Sequence, residues 1–231
     1  MDLLYTIDSG NSQSKMALFK DGILQDYKDF QQRDPNIPVI FSNVSEKDMS
    51  LSESAINALS LKSSKEFLGM PINYSETLGI DRICVAWYAF KNLIEEEVAL
   101  CIDAGTYTTI DLVTKNGFIG GHIFPGVEQF FNSYEKGALL PTLKSEDIQV
   151  DCSLGHDTFS SINNSFFLSM SSVLNHLIST NSVNKVVLTG GFAPHFFNLL
   201  ENFNNIIVEY KKDLIHYSLK NIYNNVRDLK Q

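Results

Sequence analysis

Basic residues are scarce in this chain: 18 Lys and Arg stand against 27 Asp and Glu, a net charge of −9. That balance leaves no basic face, which argues against nucleic acid or an anionic membrane as a main partner. Cysteine is scarce as well. Cys84, Cys101 and Cys152 are odd in number and lack C-x-x-C spacing, so they read as small buried hydrophobes in a reducing compartment. The five histidines show no i, i+4 pair on one helix, and with it goes the usual helical zinc signature. No apolar run reaches the roughly 18 residues of a membrane span. Asp8 interrupts the opening stretch before the apolar region of a signal peptide can form. A cytosolic location is expected.

What is present is an ordinary globular composition, 44% hydrophobic and 19% charged over 231 residues, enough for one large domain or two small ones. The 16 Phe and 9 Tyr belong to a core rather than to base-stacking platforms, given the acidity. The chain is organised around residues 100–111, an apolar strand, an Asp103-Ala104-Gly105-Thr106 turn and a departing strand. An Asp at a buried strand end followed by Gly turns a carboxylate and free backbone N–H groups towards one point, a place for a phosphate and its cation. A plain turn uses the same residues for φ > 0 and local hydrogen bonding.

A second copy shifts that balance. Displaced by 95 positions, Ile7-Asp8-Ser9-Gly10-Asn11 falls on Ile102-Asp103-Ala104-Gly105-Thr106, and Lys20-Asp21-Gly22 on Lys115-Asn116-Gly117. Each half therefore carries strand, Asp-x-Gly turn, strand and a favoured two-residue hairpin turn. Two related β-lobes suggest a nucleotide between them, and the repeat favours two domains.

Along the chain, strands are expected at 3–8, 14–20 and 22–30. Asn11, Ser12 and Lys15 add an amide, a hydroxyl and an ammonium to the first turn, where Gly10 lets backbone approach. Alone, Lys15 would be a solvated strand residue. Residues 31–72 are hard to read: Val39-Ile40-Phe41 suggests a short buried strand, and the Ser-rich stretch 45–65 partial helix. Leu78-Gly79-Ile80-Asp81-Arg82 opens a helix running to about Ile94, with apolar residues at helical spacing. Its first turn favours an anion, so Arg82 there calls for a specific partner. Asp81 by itself is an ordinary helix-start acid. Gly120-Gly121 serves either close backbone approach or tight strand packing. A helix follows with Val127, Phe130-Phe131 and Tyr134, ended by Pro141. Residues 158–180 read as helix, Lys185–Gly191 as a buried strand entering a Gly-Gly turn and another helix, and 210–228 as an amphipathic tail.

In order, Asp8-x-Gly10-Asn11-Ser12-x-x-Lys15, Gly79-x-Asp81-Arg82, Asp103-x-Gly105-Thr106-x-x-Thr109-x-Asp111, Gly120-Gly121-x-Ile123-x-Pro125-Gly126, Leu140-Pro141 and Thr189-Gly190-Gly191 resemble the motifs of the type III pantothenate kinases. The resemblance spans nearly the whole chain. It implies an α/β fold of two duplicated ribonuclease-H-like (actin-like ATPase) domains, each a mixed five-stranded sheet flanked by helices. The lobes would be 1–96 and 97–231, with a last helix near 210–231 that packs back on the first lobe. The implied activity is ATP-dependent phosphorylation of pantothenate to 4′-phosphopantothenate, the first step towards coenzyme A. The alternatives are an actin-like phosphotransferase acting on another small alcohol and a non-catalytic nucleotide-binding regulator. By the same resemblance, Asp8, Ser9, Gly10, Asn11, Ser12, Gln13, Ser14, Lys15, Gly105, Thr106 and Thr109 would hold ATP. Tyr74, Gly79, Ile80, Asp81, Arg82 and the position of Gly137 would hold pantothenate, with Asp81 as the base and Arg82 a candidate for the substrate carboxylate. Asp103 would hold a monovalent cation, potassium or ammonium. Mg²⁺ would accompany ATP, and the protein would be a homodimer. The chain departs from the family at Gly137, where a Thr is usual, at Tyr107, where Ala is usual, and at Phe192, where an acid is usual.

Overall fold

The computed structural model describes the chain apart from Met1, Asn11, Glu46, Lys47, Asp48, Ser50, Lys136, Ala138, residues 142–146, Asn202, Lys230 and Gln231. It divides into two compact units, one of residues 1–91, 116–118 and 213–231, the other of residues 92–115 and 119–212.

Unit 1 is built on strands β1 (Leu3–Ser9), β2 (Ser14–Lys20), β3 (Ile23–Lys28), β4 (Val39–Asn43) and β5 (Ile56–Asn57) in the order β3-β2-β1-β4-β5. β1 pairs antiparallel with β2 and parallel with β4. Successive side chains of a strand alternate between faces, and β1 uses this fully. Tyr5 and Ile7 pack with Met16 and Val39 in one apolar cluster, whereas Thr6 points the other way to His216. The β2–β3 turn is the favoured hairpin type, with Asp21 and Gly22 both at positive φ (49° and 81°). Two helices complete the unit: α1 (Ile80–Asn92), buried from Ile80 to Ala89 except at Asp81, and α5 (Leu214–Asp228). A short hairpin, β6 (Glu66–Phe67) and β7 (Met70–Pro71), precedes α1.

Unit 2 is built on β8 (Ala99–Ala104), β9 (Tyr107–Thr114), β10 (Gly117–Pro125), β11 (Lys185–Thr189) and β12 (Ile207–Tyr210), ordered β10-β9-β8-β11-β12. Here β8 is antiparallel to β9 and parallel to β11, so the two sheets share both order and central pairing. Helices α2 (Val127–Asn132), α3 (Thr158–Thr180) and α4 (Ala193–Leu200) supply aromatic side chains to its core, among them Phe131, Phe166, Phe167 and Phe196. A capping box between Asp157 and Ser160 starts α3.

Four local expectations are corrected. Cys152 is exposed, while Cys84 and Cys101 are buried. The Ser-rich stretch holds a single 3-10 turn, Ala58–Leu61, among its described residues; serines compete for backbone hydrogen bonds and disfavour longer helix. α2 ends at Asn132, well before Pro141, because Ser133–Glu135 already tighten into turns whose N–H groups bond back three residues. The second hairpin turn has only Gly117 at positive φ (106°), the pattern of a type I turn closed by a left-handed glycine. Gly121 serves packing: a Cβ there would lie 1.9 Å from Asp111 Oδ1.

Candidate active site

Asp8 sits at the end of β1, where the apolar strand has carried a carboxylate into a half-buried position. Its cross-strand partner on β2 is Lys15, and its neighbour on β4 is Ser42. The turn is closed by Gly10 N–H donating to Gln13 O at 3.0 Å. Ser9 and Ser14 share a hydroxyl hydrogen bond of 2.8 Å, and Ser9 a second with Ser45 at 2.9 Å, so these hydroxyls shape the turn from beneath. Ser12, Gln13 and Lys15 are exposed along it. Asn11, expected to bind phosphate, lies outside the described residues.

Burial, and then the charge of Asp81, raise the Asp8 carboxyl from its ordinary range to about 7, against an opposing pull from Lys15. Asp81 is in the first turn of α1, and burial raises its carboxyl too, offset by the Arg82 N–H and the Arg82 charge. The N–H is donated to Asp81 Oδ1 at 2.8 Å. Gly79 makes room for that fold-back, since a Cβ on it would meet Asp81 Oδ1 at 2.5 Å. Ile80 is buried with its side chain in the core, which leaves its backbone for any ligand. Cys84 marks the same spot: burial first, then the charges of Asp8 and Asp81, push its thiol well up. A carboxyl whose ionisation burial and a neighbouring carboxylate disfavour is a setting that a bound cation relieves.

Around this pair lie polar groups that the sequence did not announce. The Ser42 hydroxyl is fully buried without a hydrogen-bond partner. His216 accepts or donates at Nδ1 to Thr6 Oγ1 (2.8 Å), while its buried Nε2 has no partner; burial lowers its pKa to about 4. Tyr27 donates to Asp213. One signal for Ser42 was available: a polar residue ending a buried run, as Asp8 does. The α5 stripe gave none, because a buried His reads as core.

Arg82 is 6% exposed. Its Cζ lies 5.2 Å from the Tyr74 ring centroid and 5.6 Å from that of Phe118. Tyr74 thus joins Arg82 as expected, and Phe118 was not foreseen.

The remaining expected residues belong to unit 2. Asp103 ends β8, level with Thr109 on β9 and Thr189 on β11. Gly105 N–H donates to Tyr107 O, Gly126 N–H to Thr106 O (both 3.1 Å) and Phe192 N–H to Ala104 O at 2.9 Å. Backbone N–H groups thus dock on this turn, beside the positions of Thr109 and Thr189. Gly137 follows α2 in a turn where its N–H bonds Tyr134 O. Among the described residues no group of three or more His, Cys, Asp or Glu could hold a metal ion, and no helix is long and apolar enough to cross a membrane.

Solved structures share this architecture. A protein named as a Baf-family transcriptional activator, from Campylobacter jejuni, aligns over 97% of this chain and 99% of its own, with TM-score 0.64 and 22% identity. A protein named as an N-acetylmannosamine kinase from Listeria monocytogenes aligns over 98% and 99%, with TM-score 0.58 and 13% identity. The chain thus shares with these proteins a mixed α/β fold of two mixed sheets and helices. Residues 30–180 match the type III pantothenate kinases, and the chain belongs to that family. A relative of that name from Colwellia psychrerythraea is 31% identical over 62% of this chain. One from Oleidesulfovibrio alaskensis is 31% identical over 64%. These matches span 61% and 57% of the relatives' own lengths. A relative from Campylobacter hominis, 25% identical, is covered over 95% of its length and matches 93% of this chain.

Proposed function

We propose that the protein transfers the terminal phosphoryl group of ATP to the primary hydroxyl of pantothenate. The observation that carries this reading, within a family so named, is the convergence of Asp8 and Asp81 in unit 1, each with a raised pKa. A general base works best when its pKa lies near the operating pH, and burial moves Asp81 in that direction. Asp81 would accept a hydrogen bond from the substrate hydroxyl and take its proton as the new bond to phosphorus forms. Arg82 would hold the substrate carboxylate, beside Tyr74 and the backbone of Gly79 and Ile80. Asp8, the backbone of Ser9 to Ser14 and Lys15 would face the phosphates. Such transfer rests on placing the reactants in line and neutralising charge.

The carboxylate pair and the buried Ser42 hydroxyl suit a hard cation with oxygen ligands, so Asp8 would hold the Mg²⁺ of the nucleotide. When bound, that ion supplies neutralisation of phosphate charge. Asp103, with Thr109 beside it and nearby carbonyl oxygens, would hold potassium or ammonium, and Gly105 and Thr106 would contact the nucleotide. The two sheets of matching order support duplicated ribonuclease-H-like lobes. We further assign the protein to the cytoplasm as a homodimer, in which the Gly137 position would face pantothenate.

ADP release measured with and without pantothenate, in Mg²⁺ and potassium, tests this directly. Pantothenate-dependent ADP release is the expected result. Release driven only by a different alcohol would reassign the substrate, and nucleotide binding without any turnover would leave a regulator.

A further inference from the structure

We propose that Phe118 is a positioning residue that clamps the Arg82 guanidinium against Tyr74 and so sets recognition of the substrate's carboxylate. The proposal rests on the reading of Arg82 given above. A cation in the first turn of a helix opposes the macrodipole, and a buried one needs compensation. Arg82 has both handicaps, and two aromatic rings meet it. Those rings are also packed on each other, centroids 5.6 Å apart and nearly perpendicular at 88°. Phe118 is fully buried, while Tyr74 is 36% exposed, so the clamp has a fixed wall and an open one.

The fixed wall is held by backbone. Phe118 bridges to Ile72, and Asn73 N–H donates to Phe118 O at 2.9 Å. Only glycine permits this approach: Gly117 has φ of 106°, and a Cβ on it would lie 2.1 Å from Pro71 O. The open wall is held by the β6–β7 hairpin, whose turn places Leu68 at φ 46° and Gly69 at 85°. A leucine in the left-handed region is an outlier. Trp87 of α1 steadies it, donating from Nε1 to Leu68 O at 3.3 Å, with its ring edge-on to Phe67. The helix that carries Arg82 therefore also anchors the hairpin that leads to Tyr74. Such walls restrict the planar guanidinium and present one fixed donor edge, the geometry suited to a carboxylate.

The test compares Phe118→Leu, which keeps the apolar bulk, with Phe118→Tyr, which restores the aromatic face. Losing one cation–π wall should raise KM for pantothenate about three- to tenfold, with kcat and KM for ATP within about twofold. Phe118→Tyr should recover it. The second readout is independent of turnover: the Arg82 guanidinium N–H resonances, resolved in the wild type by restricted rotation, should average in Phe118→Leu. Should that variant not fold, Phe118→Met is read in the same way. An unchanged pantothenate KM in a folded variant, or unaltered Arg82 resonances, overturns the clamp. If the wild type itself makes no phosphopantothenate, the kinase reading falls on that result, and the Arg82 resonances alone decide the clamp.

Discussion

Asp8 and Asp103 each end the central strand of a five-stranded sheet and each open an Asp-x-Gly turn, yet distant parts of the chain finish the two turns differently. At Asp103 backbone N–H groups of Gly126 and Phe192 dock on the turn and on the strand end, and the strand neighbours are the uncharged Thr109 and Thr189. At Asp8 a backbone N–H, that of Val44, docks on Ser9 O as well, but the side-chain neighbours carry charge: Lys15 across the strand pair and Asp81 from α1, with the Ser42 hydroxyl from β4. One local motif thus acquires two kinds of chemistry. A buried carboxylate pair calls for a cation and can move a proton, whereas a carboxylate flanked by hydroxyls and backbone can only hold.

The largest expected break in this comparison is at Asp81. Asp81→Asn should lower kcat by about 10²-fold or more, the scale for loss of a positioned base, while nucleotide binding persists. Near wild-type turnover would reduce Asp81 to a helix-start acid. Next comes the holding turn: replacing potassium with sodium should lower activity several-fold in the wild type, and Asp103→Asn should abolish that difference. Equal rates in the two salts would remove the cation from Asp103.

A smaller effect separates the two turns by stability. The native Asp8 keeps its proton up to about pH 7, whereas an unfolded Asp releases it near 3.8. Native protein thus binds more protons in that window, and Asp8 makes stability fall as pH rises through it. His216 acts in the opposite sense. Held neutral down to about 4 against 6.5 unfolded, it makes stability rise with pH across that interval. Asp8→Asn should therefore melt higher than wild type at pH 8, by a few degrees, and unmask the His216 limb below pH 6.5. Identical melting curves for the two proteins from pH 5 to 8 would show that Asp8 is not desolvated.

The smallest change is expected at Gly137. Its φ is not positive, so Thr meets no left-handed strain there. It meets Leu140 instead, whose Cδ1 would lie 2.5 Å from the new Cβ. Leu140 is 40% exposed and can swing outwards. A regained hydrogen bond would lower KM for pantothenate by about two- to tenfold, with KM for ATP unchanged. An unchanged pantothenate KM would place Gly137 away from the substrate.

The elements around these turns were legible where local pattern and tertiary use agree. The buried runs before Asp8 and Asp103, the periodic helix from Ile80 and the Asp21-Gly22 turn all follow from sequence alone. The stretch 31–72 was opaque for the opposite reason. Leu68 adopts a conformation that leucine disfavours, and it does so through a hydrogen bond from Trp87, 19 positions later. No window on the sequence contains that cause. Phe118 was hidden similarly, since in a strand it reads as core, and its contact with Arg82 depends on Gly117 closing over Pro71. Arg82 was recognisable as a misplaced charge and Tyr74 as its companion, but Phe118 was not.

The claim that the two turns differ in kind is tested most directly by following the Asp8 side-chain carboxyl by ¹³C NMR as a function of pH, with and without Mg²⁺ and a non-hydrolysable ATP analogue. The expected midpoint in the free protein is about 7, falling by one unit or more when the cation and nucleotide bind, since an opposite charge within reach of a carboxylate lowers its pKa by roughly 1–3 units. A free-protein midpoint near 4 that does not respond to magnesium and nucleotide would contradict the account, leaving Asp8 a plain turn residue.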